Sequence, residues 1–363
     1  MILSFALELQ GIRSGETVWN GRHHRCRGPR VKETAREVVV VSGASAGVGR
    51  AVVREFAKRK ASIGLIARGK ERLELARQEV EQQGGEGLVL PADVADAEKV
   101  EEAARQVVAA FGRIDVWINN AMTTVFAPLK QIRPDEFKRA TEVTYLGCVY
   151  GTMAALKQML PKNKGTIVQV GSALAYRSIP LQSAYCGAKH AIVGFTDSLR
   201  CELIHDHSDI HLTMVHLPAM NTPQFSWCRT RLARHPQPVP PIFEPEVAAR
   251  AIYYAAHHRR REIYVGAPTA KAIYGQHFAP GFADWYLGTH GYESQQTSEP
   301  VPSDRPDNLF EPVRGDYAAH GIFTNVAKTR SLQNWMNLRR IPLGVAVAGL
   351  AGLGTLVWKR RLG

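Results

Sequence analysis

Cysteine is scarce in this chain and badly spaced for covalent or metal work. The 363 residues hold five, Cys26, Cys148, Cys186, Cys201 and Cys228, an odd number with no CxxC pair. That pattern argues against a disulfide framework and a zinc site, and for a reducing compartment. The histidines His23, His24, His205, His207, His257 and His258 lack a partner set with metal-ligand spacing and read as solvated helix-end residues. Acid is short as well: 33 Asp and Glu against 46 Lys and Arg leave a formal net charge of +13. Much of the surplus sits at the ends, from Arg22 to Arg36 and at Arg339, Arg340, Lys359, Arg360 and Arg361. Basic ends of this kind are usually solvated, and no nucleic-acid partner is expected. Long apolar runs are missing except for one near the C-terminus. A hydrophobic content of 45% and a charged content of 22% are ordinary for a globular protein. The length suits one large α/β domain with extensions.

What is present begins in earnest at Glu37. Residues 1–36 read as a basic, disordered arm, and the apolar MILSFAL has no basic stretch before it, so it makes a poor signal peptide. VVVVSGASAGVG is a buried strand turning through glycines into a helix. Backbone N–H groups and the helix dipole at such a turn face a pyrophosphate, and side chains would block its approach. Gly43, Gly47 and Gly49 set the spacing, with Ser45 and Val48 between them. A second strand, Ser62 to Ala67, ends on Arg68, with no carboxylate before Glu71. A carboxylate at this place bonds a ribose 2′-hydroxyl, whereas a guanidinium pairs with a 2′-phosphate. NADP(H) is therefore expected over NAD(H), unless Arg68 is a solvated cap residue. Asp93 closes a third strand, and a fourth, Ile114 to Asn119, runs into Asn120 and Ala121.

Pro134 to Leu160 is expected to form one long helix, Thr166 to Val170 a fifth strand, and Ser183 to His205 a helix. Tyr185 and Lys189 stand four apart on that last helix, so phenol and ammonium share one face. An ammonium beside a phenol favours phenolate and lowers its pKa, which suits a general acid/base. Ser172, at the end of the fifth strand, is placed to bond the oxygen that Tyr185 protonates. The bland alternative is a packed tyrosine with a lysine snorkelling beside it. Ile210 to Leu217 and Glu262 to Val265 add two strands, with a Pro- and Arg-rich stretch, 223–241, expected as a lid. Strands alternating with helices over residues 37–267 predict one doubly wound parallel sheet, a Rossmann-type fold with ligands at the strands' C-terminal ends. Beyond it an aromatic helical extension (268–290), a polar linker (291–337) and an apolar tail helix (338–363) are expected. Ile341 to Trp358 is 18 residues without a charge, flanked by basic residues, and is expected to contact a membrane. The expected location is the cytoplasm, with the tail anchoring the protein to the inner face of a membrane.

In their order and spacing these motifs resemble the short-chain dehydrogenase/reductase family of the classical type. The likeness runs over about residues 37–267. It rests on the glycine turn at 42–49, Asp93, NNAM at 119–122, Ser172, Tyr185 with Lys189, and the Pro218 to Thr222 turn. The resemblance implies an NADP(H)-dependent enzyme interconverting a carbonyl and a secondary alcohol on an apolar small-molecule substrate. Tyr185 would be the acid/base and Ser172 would position the substrate oxygen. Lys189 would lower the phenol's pKa and hold the nicotinamide ribose, with Pro218 and Thr222 near the nicotinamide. It also implies a homo-oligomer paired through the two long helices. Thr144 stands where the family has a catalytic asparagine, and Met122 and Ala219 replace usual glycines. The rival reading is a non-catalytic nucleotide-binding scaffold tethered through its tail.

Overall fold

The computed structural model describes residues 36–339. The basic arm, up to residue 35, and the apolar tail, from residue 340, lie outside that range. So does the membrane contact expected of 341–358. Among the described residues no helix is long and apolar enough to cross a membrane.

Seven strands form one sheet: β1 (Val38–Ser42), β2 (Ser62–Ala67), β3 (Glu86–Pro91), β4 (Val116–Asn119), β5 (Thr166–Ser172), β6 (His211–Leu217) and β7 (Glu262–Tyr264). Their order is β7-β6-β5-β4-β1-β2-β3, and every pairing is parallel. All five residues of β1 are buried, as expected of a strand covered on both faces. Helices α1 (Gly47–Ala57), α2 (Lys70–Gln82) and α3 (Ala97–Phe111) follow the first three strands. Asp96 caps α3 by accepting from the Lys99 N–H at 3.2 Å, and Gly112, with φ +82°, ends it in the left-handed region. The strand order reverses between β4 and β1, which opens a crevice at their C-terminal ends.

The helix expected over Pro134 to Leu160 is interrupted. It consists of α4 (Pro134–Thr141), a π-turn (Glu142–Leu146) and α5 (Gly147–Met159). The turn lies where the buried Thr144 hydroxyl donates to the Thr123 carbonyl at 2.9 Å and accepts from the Thr123 N–H at 3.1 Å. Helix α6 (Ser183–His205) then crosses beside β5, and α7 (Pro245–His257) packs on α1.

Past β7 the chain forms α8 (Ala267–Phe278) and α9 (Pro280–His290), and α10 (Leu332–Leu338) is the last helix among the described residues. Residues 291–337, expected as a polar linker, instead lie on the core. Gln296–Pro300 pairs antiparallel with Arg234–Pro236. Leu309 is fully buried against Val125, Ala127, Ala140 and Ala184, and Ala319 joins the main core cluster. A few apolar residues in a polar sequence suffice to dock it, because backbone groups supply most of its bonds.

Candidate active site

Every site residue named from the sequence except Gly49 and Thr144 lines one cavity of about 630 Å³ at the C-terminal ends of the strands. Gly49 and Thr144 stand behind that lining and shape it.

The glycine turn is built by close approach. Gly43 and Gly47 have φ of +69° and +58°, a region that L side chains rarely adopt. A Cβ at Gly49 would overlap the Gly43 carbonyl, so only glycine lets α1 start here. Asn120 lies under the turn: its amide donates to the Ser42 carbonyl at 3.0 Å and to that of Gly43 at 3.4 Å. The Ser42 hydroxyl accepts from the N–H groups of Asn120 and Ala121. Asn120 and Ala121 therefore fasten β1 to β4, while Ser45, Val48, Pro218 and Thr222 face the cavity.

The catalytic candidates meet at the other side of the cavity. The Ser172 hydroxyl accepts from the Leu174 N–H at 3.1 Å. That leaves its own proton for an oxygen in the cavity. Burial pushes the Tyr185 phenol well above its usual pKa, and a bond from Ser172 opposes this. The Lys189 ammonium donates to the Val170 carbonyl at 2.7 Å and sits 5.6 Å from the centre of the Tyr185 ring. Burial lowers its pKa to about 8. The expected depression of the phenol's pKa by Lys189 is thus absent from this arrangement: the ammonium lies at the ring and on a backbone carbonyl. A phenol with its pKa so raised keeps its proton at neutral pH, which suits proton donation to a carbonyl oxygen.

Below Ser172 lies a buried group that the motif left out. His216 Nδ1 is 3.2 Å from the Ser172 carbonyl oxygen, and its Nε2 is 3.2 Å from Glu262. The Tyr176 hydroxyl donates to the same carboxylate at 2.8 Å. Burial works to raise the pKa of Glu262, but its bonds with His216 and Tyr176 outweigh it and hold the group at about 2. His216 buttresses the strand end that carries Ser172.

At the opposite end, Asp93 is engaged within the protein. One carboxylate oxygen accepts from the Ala95 N–H at 3.0 Å and the other pairs with Arg139. Arg68 donates to the backbone carbonyls of Asn308 at 2.5 Å and Phe310 at 2.6 Å. The Gly47 N–H donates to the Ala318 carbonyl at 3.0 Å. Ala318 is itself held at φ +46°, an uncommon conformation for a residue with a Cβ. Residues 308–318 thus cross the cavity as a strap, closing it beside the glycine turn. Irregular patterning hid the strap in the sequence: NLFEPVRGDYA follows neither a strand nor a helix period, although Leu309 and Val313 are buried.

The 223–241 stretch also covers the cavity, through Phe225 and Trp227. Buried Glu136 fixes it by pairing with Arg229 at 2.8 Å and Arg231 at 2.5 Å. The remaining wall comes from α8 and α9, including Phe282, Tyr286 and Leu287. Among the described residues, Glu244, Glu246 and His320 form the one cluster close enough to hold a metal ion, and it lies outside this cavity.

A parallel sheet with a glycine turn at its switch point, facing a serine and a half-buried tyrosine across one cavity, defines a dinucleotide-dependent oxidoreductase. A family model described as short chain dehydrogenase matches residues 37–231. The chain belongs to the short-chain dehydrogenase family. It is 31% identical over 327 residues to an uncharacterized oxidoreductase, YxnA, of Bacillus subtilis, covering 89% of this chain and 90% of that protein. A fatty acyl-CoA reductase of Acinetobacter baylyi is 28% identical over 62% of this chain and 75% of its own length. Among solved structures, an alcohol dehydrogenase from the archaeon Thermococcus sibiricus, complexed with 5-hydroxy-NADP, superposes with a TM-score of 0.55. It is 28% identical and is matched over 63% of this chain and 95% of its own.

Proposed function

We propose that this oxidoreductase uses NADP(H) to interconvert a carbonyl and a secondary alcohol on an apolar substrate, with Tyr185 as the acid/base. The observation that carries the reading is the shared cavity: Ser172 and Tyr185 face the same space as the glycine turn. That turn fits a dinucleotide, because Gly43, Ser45 and Gly47 line the cavity at the start of α1, where side chains are small and a helix N-terminus favours an anion. A bound nicotinamide would supply or accept the hydride. Ser172 donates a hydrogen bond to the substrate oxygen and orients it. Tyr185 gives that oxygen its proton in reduction and takes it back in oxidation. Lys189 adds positive charge at the Tyr185 ring and holds the end of β5 through Val170. Thr144 fixes the backbone of Thr123 and keeps the turn after β4 in place, so its role is positional.

A 2′-phosphorylated cofactor is supported by arginines, with no carboxylate, where β2 ends. The 5-hydroxy-NADP bound by the archaeal relative agrees with it. Leu174, Ile179, Phe225, Val239 and Phe282 along the cavity support an apolar substrate. The fatty acyl-CoA reductase among the relatives points the same way. Exposed Met153 on α5 and Ile204 on α6 favour subunits paired through those helices.

Tyr185→Phe tests the assignment. Turnover of a panel of apolar ketones and aldehydes should fall by at least about 10²-fold, with NADPH affinity within about threefold of wild type. Activity within tenfold of wild type would remove Tyr185 from the mechanism.

A further inference from the structure

Ser172 is held from behind by residues that the strand register brings together. Gly171 on β5 lies beside His216 on β6, which lies beside Tyr264 on β7. Side chains two apart on a strand share a face, so Glu262 falls on the same side of the sheet as Tyr264 and His216. The His216 ring is fully buried against Gly171, where a Cβ would come within 2.6 Å of Nδ1. Tyr176 and Tyr264 flank the ring, with centres 5.1 and 5.6 Å away.

The contacts converge on one carboxylate. A backbone carbonyl only accepts, so His216 Nδ1 donates to the Ser172 carbonyl at 3.2 Å, and Nε2 stands 3.2 Å from Glu262. The Tyr176 hydroxyl donates to Glu262 at 2.8 Å. Burial opposes ionisation of Glu262, yet its bonds with His216 and Tyr176 keep it a carboxylate. Ser172 opens a short turn, Ala173–Ala175, and Tyr176 closes it. Both ends of that turn are therefore fastened to Glu262, one through His216 and one directly. The Leu174 N–H, inside the turn, donates to the Ser172 hydroxyl at 3.1 Å, so a turn that shifts carries the hydroxyl with it. Apolar residues would fill the same space without desolvating a carboxylate, so packing alone does not call for these groups.

We propose that Glu262 and His216 are positioning residues for the reaction: by fastening both ends of the 172–176 turn they hold the Ser172 hydroxyl where the substrate oxygen meets Tyr185. The proposal rests on the roles given to Ser172 and Tyr185 above. Misplacing a reacting group by about 1 Å can cost about 10²-fold in rate, so slack in this turn shows in the chemical step and not in cofactor affinity.

A double-mutant cycle tests it, read by single-turnover reduction of the most rapidly reduced ketone or aldehyde of the apolar panel with NADPH. His216→Leu should slow that step by about 10- to 100-fold. NADPH affinity should stay within about threefold of wild type, which also reports that the variant is folded. In a Ser172→Ala background the same change should cost less than about twofold, because a residue that acts through the Ser172 hydroxyl then has nothing to position. His216→Asn keeps an N–H donor at the place of Nδ1 and should bring the rate back to within about fivefold of wild type. If His216→Leu does not fold, Tyr176→Phe carries the cycle, since it keeps the ring and frees the far end of the turn. It should slow the step by about three- to tenfold, and by less than about twofold in the Ser172→Ala background. Losses that multiply with that of Ser172→Ala, or failure of His216→Asn to recover the rate, would make the array a packing element and overturn the proposal, leaving the role of Ser172 intact. Wild-type rates in both His216→Leu and Tyr176→Phe would overturn it as well. A Ser172→Ala variant within tenfold of wild type would overturn the role of Ser172 and the proposal together.

Discussion

The sheet core, residues 37–267, and the segment that follows it, 268–339, contribute to the same cavity in different ways. The core places side chains by repetition: a strand, a turn and a helix, with the reactive group at the strand's end. The later segment has no sheet of its own to align it. It covers the core by backbone bonds to Arg68, Gly47 and Arg139, and by buried anchors that include Leu309 and Ala319. Regular alternation made the core's site readable from spacing. Contacts that join residues more than 100 positions apart leave no spacing to read.

Breaking the core's chemistry should have the largest effect. Ser172→Ala removes the hydroxyl beside Tyr185 that the account assigns to orienting the substrate oxygen. Turnover should drop by roughly 10²- to 10³-fold, measured under single-turnover conditions, with the melting temperature little changed. A loss below tenfold would mean that another group positions the substrate.

Leu309→Ala sharpens the comparison from the other side. Deleting a fully buried leucine side chain typically costs about 2–5 kcal/mol. Proteolysis of the strap should speed up accordingly, while Leu332→Ala, at a 71% exposed position, should change it by less than about 0.5 kcal/mol. Equal behaviour of the two variants would show that Leu309 does not hold the strap.

At Thr144, substitution by valine keeps the shape and leaves the Thr123 N–H and carbonyl without a partner. A cost of about 1–3 kcal/mol is expected by urea unfolding. An unchanged midpoint would detach the π-turn from that pair of bonds.

The smallest effect concerns pH. Burial works to raise the pKa of Glu79, but hydrogen bonds from Arg54 and Arg50 outweigh it and depress the pKa from 4.5 to about 2. A depressed carboxylate contributes stability above its unfolded pKa and loses it as pH falls toward the folded value. The wild type should therefore lose about 1–2 kcal/mol between pH 4.5 and 2, after allowance for solvent screening. Glu79→Gln should flatten that part of the curve. An identical acid limb in both proteins would contradict the assignment.

Much of the core was legible because its signals are local. Four consecutive valines before Ser42 define a strand buried on both faces, and the glycines after it permit a turn that no other residue fits. Tyr185 and Lys189 were found together because a helix brings positions four apart to one face. Their electrostatics were not legible: the phenol's pKa depends on burial, and the ammonium's direction depends on the Val170 carbonyl. His216 gave no signal, since a lone histidine in a strand does not announce a carboxylate on the neighbouring strand. The strap itself, NLFEPVRGDYA, follows neither a strand nor a helix period, and its packing depends on oxygens of the backbone that every sequence possesses.

Titration of the purified full chain with NADPH and with NADH, followed by nicotinamide fluorescence, tests the central claim most directly because it needs no substrate. Tight binding of NADPH with NADH at least about tenfold weaker is the predicted result. Failure to bind either nucleotide would contradict the account.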